Sequence, residues 1–477
     1  MLGRKFANTK ILATLGPASD TEEKLLKLVE AGTDGFRLNF SHASHDYFEK
    51  LLGTIEKVRE KSGIALSLVA DLQGPKIRVG ELAEPEIELS SGGSIVISDE
   101  DVTGTKEKIS SSNKNIVRDA EPGDIILIDD GLIKLEVAEK SEGALTCDIL
   151  EGGILKPHKG INLPGMKLNL PSLTEKDKQD LDFALKYDID FIALSFVRSA
   201  DDIIYLKSYL ADHGHDNSVI AKIEKPEAVK NFDDILKVSD GIMVARGDLG
   251  VEMEPQEVPV IQKNIIRKCR AEGKLVITAT QMLESMIHAP RPTRAEASDI
   301  ANAVWDGTDV VMLSAETSVG SHPVEAVKFM NDIVVRSEKE VQNNLPVDYR
   351  IPEDTFENIF DSTGKAVVDA AERVRADLLV VFTGKGRRAK TISKFRPSMP
   401  AVVFSHNNAA LTELNLYYGV MPVKMADFDL SESSISRVVN FLKDEGLTEK
   451  NDIIIFTTGV PHNETDRSSW TKSVIVD

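Results

Sequence analysis

The chain has 477 residues, of which 28% are charged and 42% are hydrophobic, and its formal net charge is -20 at pH 7. At about 150 residues per domain, this length predicts about three domains with ordinary globular cores. The acidic excess argues against a nucleic-acid partner, which needs clustered lysines and arginines. Two cysteines are too few for a disulfide framework, and no apolar run approaches the ~18 residues of a membrane span. We therefore expect a cytoplasmic protein that binds neither nucleic acid nor a membrane.

Short apolar runs alternate along the chain with segments of helical pattern, which is typical of repeated βα units. The eight runs are KILATL (10–15), GFRLNF (35–40), ALSLVAD (65–71), FIALSF (191–196), VIAKIE (219–224), GIMVAR (241–246), LVITAT (275–280) and VVMLSA (310–315). Eight parallel strands close a (β/α)8 barrel. The sequence therefore predicts an α/β protein with a TIM barrel in residues 1–74 and 171–342.

Residues 75–170 interrupt the barrel pattern between the third and fourth runs, and they are too many for a loop without structure of its own. Alternating polar and apolar residues in EIEL, SIVIS, IILI and LIKLEVAE predict strands, with turns at SSGG, EPGD and SEGA. The segment therefore predicts an inserted small β-barrel domain. Placed over one end of the TIM barrel, it would act as a lid.

The last part of the chain returns to alternating helix and strand patterns after a linker-like segment, LPVDYRIPED (345–354). Its apolar runs include LLVVF, AVVF and IIIF. Together they predict an open α/β domain with a parallel sheet in residues 343–477.

Polar residues recur at the carboxyl ends of the predicted barrel strands. Residues two apart on a strand share a side, and this rule groups Arg37, Asn39 and Ser41; Lys222 and Glu224; Thr278 and Thr280; and Ser314 and Glu316. Barrel enzymes keep their active sites at this end. An ion pair that only fills the barrel end would explain Lys222 and Glu224 equally well.

The segment VARGDLGVE (244–252) places Asp248 just past the sixth predicted strand, beside glycines that let a ligand approach the backbone. Glu224 and Asp248 suit Mg²⁺, which is usually held by one or two carboxylates together with phosphate and water oxygens. If a helix begins at Gly247, its backbone N–H groups suit a phosphate. An ordinary turn is the alternative reading of this segment by itself.

Nine long segments then follow one another along the chain: TKILATLGPAS, FRLNFSHAS, DLQGPKIRVG, KGINLPG, AKIEK, VARGDLGVE, TATQMLESM, RPTRAEASDIANAV and LSAETSVGSHP. In sequence and in order they resemble the pyruvate kinase family over nearly the whole chain. The resemblance implies a barrel with an inserted lid and a C-terminal regulatory domain. It also implies transfer of the phosphoryl group of phosphoenolpyruvate to ADP, giving pyruvate and ATP in glycolysis.

Carried over position by position, the resemblance implies a role for each candidate site residue. The divalent cation, Mg²⁺ or Mn²⁺, would be bound by Glu224 and Asp248. The substrate would contact Arg37, Lys222, Gly247, Asp248 and Thr280. The nucleotide would contact Asn39, His42, Arg78 and Lys159. Protonation of enolpyruvate would involve Thr280, Ser314 and Glu316, and the sequence leaves open which hydroxyl relays the proton.

The segment DLQGPKIRV (71–79) departs from the members of the family that need K⁺. Those members bind K⁺ at positions that match Asn39, Ser41, Asp71 and a threonine, and here the threonine position is Leu72 and a typical glutamate is Lys76. Gln73 and Val79 also follow the pattern that is independent of K⁺. We predict that the Lys76 ammonium replaces K⁺, so that K⁺ is not required. A solvated turn lysine is the alternative.

The C-terminal domain carries a candidate effector site in TGKGRRAK, whose relevant residues are Thr383, Gly384, Lys385, Gly386, Arg387 and Arg388. Glycines, a threonine and basic residues suit a phosphate nest, and TTGVPHN (457–463) would face them. The expected ligand is a sugar phosphate or AMP, and a solvated basic turn is the alternative. The resemblance also implies a homotetramer, with Arg294 at a subunit contact.

Two other functions remain open. A Mg²⁺-dependent lyase or aldolase that acts on phosphoenolpyruvate or pyruvate would share Lys222, Glu224 and Asp248, but it would not need the lid. A catalytically silent sensor of sugar phosphates would need none of the active-site chemistry. Every active-site position carries a chemically competent residue, which favours an enzyme.

Overall fold

The computed structural model describes residues 7–41, 43–166, 171–340, 349, 355–425, 431–460 and 468–477. His42, most of the predicted linker and residues 461–463 of the TTGVPHN segment lie outside the described residues.

The chain enters the barrel with three strands and two helices: β1 (Lys10–Thr14), α1 (Glu22–Ala31), β2 (Gly35–Asn39), α2 (His45–Ser62) and β3 (Ser67–Asp71). Local sequence sets their limits. The side chain of Thr21 accepts the backbone N–H of Lys24 at the start of α1, and Gly32, with φ of 128°, ends it. The first three predicted strands are confirmed.

The insertion contains β4 (Ile77–Arg78), β5 (Ile87–Leu89), β6 (Ser94–Ser98), β7 (Lys108–Ser110), α3 (Asn115–Asp119), β8 (Ile125–Ile128), β9 (Ile133–Ser141), β10 (Ala144–Glu151), β11 (Gly153–Leu155) and β12 (Gly160–Asn162). Seven strands pair in the order β4-β12-β8-β9-β10-β6-β7, and β11 pairs with β5. A bridge between Val79 and Ser111 joins the two edge strands of the seven. The insertion therefore closes as a small barrel, and we refer to it as the lid.

The chain then completes the barrel through α4 (Glu175–Ala184), β13 (Phe191–Leu194), α5 (Ala200–Asp212), β14 (Ser218–Ile223), α6 (Pro226–Lys230), α7 (Phe232–Val238), β15 (Gly241–Ala245), α8 (Arg246–Glu252), α9 (Val258–Glu272), β16 (Leu275–Ala279), a 3₁₀ turn (Glu284–Ile287), α10 (Arg294–Asp306), β17 (Val310–Leu313), α11 (Ala315–Ser318) and α12 (Pro323–Glu338). Eight parallel strands close in the order β1-β17-β16-β15-β14-β13-β3-β2. All eight predicted barrel strands are confirmed, and so is the TIM-barrel architecture.

The C-terminal part comprises α13 (Thr355–Val374), β18 (Leu378–Phe382), α14 (Arg387–Lys394), β19 (Ala401–Ser405), α15 (Asn408–Leu414), β20 (Val420–Lys424), α16 (Glu432–Asp444), β21 (Ile453–Val460) and β22 (Ser468–Ile475). Its sheet has the order β20-β19-β18-β21-β22 and is parallel except for the β21–β22 pair. The predicted open α/β fold is confirmed, and its sheet also has an antiparallel edge strand, β22, that the sequence analysis did not predict.

The interior of the barrel and the C-terminal part share one apolar core. Leu12, Phe191 and Ile277 inside the barrel belong to the same buried cluster as Leu414 and Tyr417 of the C-terminal part. The C-terminal part therefore covers one end of the barrel, and the end where the strands finish is the candidate position for a site. No helix among the described residues is long and apolar enough to cross a membrane.

Candidate active site

A cluster of buried charges lies where β3, β13 and β14 end. The Nζ atom of Lys222 is 3.2 Å from Asp71 Oδ1 and 2.9 Å from Glu224 Oε1, and it donates to Ser195 Oγ over 2.7 Å. The side chains of Asp71 and Glu224 are each 1% exposed. The predicted meeting of Lys222 with Glu224 is present, and the cluster also contains Asp71 and Ser195.

Arg37 extends the cluster from the end of β2. Its Nε donates to Asp71 Oδ2 over 2.6 Å, and its Nη1 donates to Thr14 Oγ1 over 3.1 Å. Burial alone would raise the pKa of Asp71, but the charges of Arg37 and Lys222 outweigh it and hold that pKa below its usual value. Asp71 therefore stays ionised and holds two cations in place.

The pKa values of Lys222 and Glu224 both lie above their ordinary values, for different reasons. Burial would lower the pKa of Lys222, but the charges of Asp71 and Glu224 outweigh it, so the ammonium is kept. Burial raises the pKa of Glu224, and the nearby Asp248 charge adds to the rise against the opposing charge of Lys222. Two carboxylates that repel each other in a buried site favour a bound cation.

A divalent cation fits this arrangement. Asp248 lies just past β15 in the first turn of α8, a helix that the sequence had left open, and it is close enough for its charge to act on Glu224. Arg37 and Lys222 face three carboxylates, so without a metal the site would carry excess negative charge and repel a phosphate ester. Two carboxylates with room for phosphate and water oxygens match the ligands of Mg²⁺. Glu224 and Asp248 are the residues that would hold it.

Thr280 directly follows β16 and has a strained conformation. Its φ is 69°, which is unusual for a β-branched residue. Its Oγ1 accepts the backbone N–H of Gly247 over 2.7 Å, and its carbonyl oxygen accepts from Arg246 Nη2 over 2.6 Å. Arg246 is itself held by Asp299 at 2.7 Å. Gly247 and Thr280 are therefore in direct contact, and the carbonyl oxygen of Thr280 is held by Arg246, a residue that the sequence did not single out.

Ser314 and Glu316 follow β17 and have unlike surroundings. Ser314 Oγ is buried and has no hydrogen-bond partner among the residues that the structure describes. Glu316 is fully buried, and its carboxylate accepts the backbone N–H groups of Ser314 over 2.6 Å and of Leu283 over 3.0 Å. Glu316 therefore positions the Ser314 backbone, while the buried Ser314 hydroxyl has hydrogen-bonding capacity that no described residue uses.

The predicted nucleotide residues come from two parts of the molecule. Asn39 ends β2, and its Oδ1 accepts the backbone N–H of Ser41 over 3.2 Å. Arg78 and Lys159 lie on paired segments of the lid, where Arg78 donates to the carbonyl oxygen of His158 over 3.1 Å and Lys159 lies 2.8 Å from Asp129. No described hydrogen bond or ion pair joins the two lid cations to the barrel cluster.

Lys76 is half-buried at the start of the lid, and Leu72 is 1% exposed. The Lys76 ammonium forms no hydrogen bond or ion pair with any described residue, so no contact joins it to Asn39, Ser41 or Asp71. It lines a cavity together with Phe196 and Glu252. The replacement of K⁺ by Lys76 stays a prediction.

The candidate effector loop leads from β18 into α14. Thr383 Oγ1 accepts the backbone N–H of Gly386 over 3.0 Å, which closes a tight turn. Arg388 is fully buried and bonds to Thr363 and Ser469 while it stacks on Phe360. Arg388 therefore belongs to the core of the domain rather than to a surface that a ligand can reach.

The family model for the barrel domain of pyruvate kinase matches residues 6–327, and the model for its alpha/beta domain matches residues 361–472. A curated protein named pyruvate kinase from Geobacillus stearothermophilus is 42% identical over 471 residues, covering 98% of this chain and 80% of the relative. One from Staphylococcus epidermidis is 41% identical over 472 residues, with the same coverage. The crystal structure of a pyruvate kinase from Cryptosporidium parvum matches with a TM-score of 0.91 at 35% identity, covering 99% of this chain and 96% of that one.

Proposed function

The chain belongs to the pyruvate kinase family, and we propose that it transfers the phosphoryl group of phosphoenolpyruvate to ADP, giving pyruvate and ATP in glycolysis. The observation that carries the proposal is the buried ammonium of Lys222, held at 3.2 Å from Asp71 and 2.9 Å from Glu224 at the open end of the barrel. Phosphoryl transfer depends on positioning and charge neutralisation more than on covalent chemistry. A fixed, buried cation supplies both.

Arg37 and Lys222 would bind the phosphoryl group from the side of the barrel. Their positions are set by Asp71, so neither has to reorganise as charge moves from phosphoenolpyruvate towards ADP. A divalent cation on Glu224 and Asp248, Mg²⁺ or Mn²⁺, would neutralise phosphate charge and orient its oxygens. The Gly247 backbone lies beside this position at the start of α8.

Enolpyruvate must then gain a proton at its methylene carbon. Thr280 Oγ1 accepts from Gly247 N and donates to the Ala279 carbonyl oxygen over 2.6 Å, so it is engaged. The Ser314 hydroxyl has no described partner, and it can therefore orient a water or relay a proton. Glu316 would act as a positioning residue for Ser314.

The nucleotide would bind between the barrel rim and the lid. Asn39 and His42 would contact it from the barrel, and Arg78 and Lys159 from the lid. Closure of the lid would bring the last two residues to the phosphates and exclude water from the transfer.

The direct test is ATP formation from phosphoenolpyruvate and ADP with Mg²⁺, compared with reactions that lack ADP or metal. ATP that depends on all three would support the proposal, and its absence would contradict it. Borohydride treatment with pyruvate tests the aldolase alternative, which predicts a covalent adduct on Lys222. We expect none, because Asp71 and Glu224 keep that lysine charged.

Independence from K⁺ is a further part of the proposal. Its support is that Leu72 replaces a threonine ligand and that the Lys76 ammonium has no acidic partner among the described residues. Wild-type activity should be the same with and without K⁺, while Lys76→Glu should lose activity in K⁺-free buffer and regain some with K⁺. Unchanged K⁺-free activity in that variant would contradict the role of Lys76.

Regulation by a sugar phosphate or AMP at residues 383–387 is also proposed, with homotetrameric assembly and a cytoplasmic location. The tight turn at Gly386 and the basic residues around it support an anion site, and Arg294, exposed at the start of α10, is the proposed subunit contact. A shift in the KM for phosphoenolpyruvate across a panel of such ligands tests the first point. Sedimentation of the wild type and of Arg294→Ala tests the homotetramer and the subunit contact at Arg294.

A further inference from the structure

A cavity of about 260 Å³ lies between the lid and the barrel rim. The lid contributes Lys76, Ile161 and Leu163 to its walls, and the barrel contributes Phe196, Lys225 and Glu252. Arg37, Lys222, Asp248 and Ser314 are not among its lining residues. Its volume is close to the lower end, about 300 Å³, of pockets that hold small ligands. The cavity is therefore separate from the proposed phosphoryl-transfer site.

Most of the wall is apolar. Ile161 is 5% exposed and Leu163 is 2% exposed, and both face the cavity from the lid. The Phe196 ring lies opposite them on the barrel rim, with the Lys225 ammonium 5.9 Å from its centre. Such walls favour a ligand with an apolar, ring-sized body.

The charges of the wall favour an anion on that body. Three cationic side chains, Lys76, Arg198 and Lys225, line the cavity against the carboxylates of Glu227 and Glu252. Arg198 pairs with Asp202 at 3.1 Å and Lys225 pairs with Glu252 at 3.2 Å, whereas Lys76 has no acidic partner within the described ranges. Lys76 is therefore the cation of this wall with which an anionic group of a ligand can pair.

Glu252 adds one acceptor at the inner wall. It is 5% exposed, and its Oε1 accepts from Asn162 Nδ2 over 3.0 Å and lies 3.2 Å from Lys225 Nζ. Its Oε2 is buried and has no hydrogen-bond partner in the described structure. A buried carboxylate oxygen without a partner is costly, and an N–H or O–H group of a ligand would satisfy it.

We propose that this cavity binds an amphipathic monoanion with an apolar ring body, a carboxylate or sulfonate directed to Lys76, and an N–H or O–H directed to Glu252. This second site goes beyond the catalytic function, because Arg37, Lys222, Asp248 and Ser314 do not line it. Lys76 is the residue that it shares with the proposed independence from K⁺. The walls of the cavity come from both the lid and the barrel, so an occupant holds the lid against the rim. The contact between Asn162 and Glu252 already joins the two sides there.

The test uses two dyes with the same ring system and N–H donor, titrated by fluorescence onto the native full chain. 1-Anilinonaphthalene-8-sulfonate carries the anion, and N-phenyl-1-naphthylamine lacks it. We expect one saturable site per chain, with the sulfonate binding about tenfold more tightly than the neutral dye. Neither phosphoenolpyruvate with Mg²⁺ nor ADP should displace the sulfonate. Equal affinity for the two dyes, or displacement by either substrate, would overturn the proposal.

Two variants locate the site. Leu163→Trp fills the cavity and should weaken sulfonate binding at least about tenfold, whereas Leu132→Trp, at a lid position that is 70% exposed, should leave it unchanged. Lys76→Met should remove the preference for the sulfonate over the neutral dye, and Lys114→Met, a lid lysine paired with Asp101, should keep it. If Leu163→Trp does not fold, the Lys76→Met comparison decides by itself. Wild-type binding in Leu163→Trp, or an intact preference in Lys76→Met, would contradict the proposal.

Discussion

Carboxylates occur at both ends of the barrel, and at both ends they lie near side-chain cations. At the entry end, an aspartate stands one residue before each of four alternate strands, and each accepts a backbone N–H from the preceding strand of the chain. The pairs are Asp34 with Ile11 at 2.8 Å, Asp190 with Leu68 at 2.7 Å, Asp240 with Val219 at 2.8 Å and Asp309 with Val276 at 2.8 Å. A cation also lies near each of the four aspartates, in the same order Lys10 at 4.0 Å, Arg59 at 3.8 Å, Lys207 at 2.7 Å and Arg396 at 2.7 Å. At the far end, Asp71 and Glu224 face Arg37 and Lys222, and Glu224 accepts the backbone N–H of Phe196, which lies outside the strands.

The difference separates structural from functional charge. A carboxylate that accepts a strand N–H satisfies a backbone donor where that strand begins, so it stabilises the folded state. A carboxylate that holds an ammonium beside an open site fixes the position of that cation, so the cation can bind a substrate there. In a barrel, stability is expected at the entry end and chemistry at the exit end.

The largest expected effect is at the exit end. Lys222→Met should lower kcat by about 1,000-fold, because the cation that stabilises the transferring phosphoryl group is lost. Metal-dependent proton exchange on pyruvate should partly survive, because Ser314 and the metal ligands remain. Steady-state kinetics and solvent-exchange NMR measure the two activities. Lys237→Met, a lysine on α7 near Asp234, is the matched control. Loss of less than about tenfold in kcat would contradict the role of Lys222.

At the entry end, the expected loss is in stability. Asp309→Ala should lower the free energy of unfolding by about 3 kcal/mol, because Arg396, 2.7 Å from Asp309, would remain buried without its partner. The kcat of the folded variant should stay close to that of the wild type. Urea unfolding and kinetics measure both, with the exposed Asp234→Asn as control. A large fall in kcat without a fall in the free energy of unfolding would contradict a purely structural role for Asp309.

The entry end should also respond to pH through Asp190. Burial raises the pKa of Asp190 from 3.8 to about 7. The folded state then holds a proton that the unfolded state releases between about pH 4 and pH 7, so this contribution to stability is present at low pH and declines as the pH rises. The wild type should lose about 2 kcal/mol relative to Asp190→Asn between pH 5 and pH 7.

Urea unfolding of both proteins across that range measures the effect, and Asp188→Asn, at an exposed position two residues earlier, is the control. A constant difference in unfolding free energy between wild type and Asp190→Asn would contradict the raised pKa.

The smallest expected effects come from two serines at opposite ends of neighbouring strands. Ser195 holds Lys222 Nζ at 2.7 Å, so Ser195→Ala should lower kcat by about tenfold through the position of that ammonium. Ser218, the first residue of β14, donates to Glu413 of the C-terminal part over 2.7 Å. Ser218→Ala should cost about 1 kcal/mol of stability and leave kcat unchanged. Equal falls in kcat for Ser195→Ala and Ser218→Ala would contradict the assignment of catalysis to the far end of the barrel.

Much of the architecture could be predicted because it depends on local pattern. All eight barrel strands were predicted by their apolar runs, and the two-residue period of a strand placed Lys222 and Glu224 on one side. A further local signal was missed, although it is visible in the sequence. An aspartate precedes four alternate strands in TDGF, DIDF, SDGI and TDVV. The repetition of this aspartate indicates that all four residues have the same structural role.

The sequence by itself therefore determined the strands, the residues at their ends and the family of the chain. Which residues these side chains contact was decided only by the tertiary structure. Ser195 meets the carbonyl oxygen of Leu72 across 123 residues, and Asp190 meets Thr412 across 222 residues. Arg246, at the start of α8, supports the strained Thr280, and β22 pairs antiparallel at the edge of its sheet. These contacts form only when the barrel closes and the C-terminal part packs against it, since strand periodicity fixes where a side chain points but not what it meets.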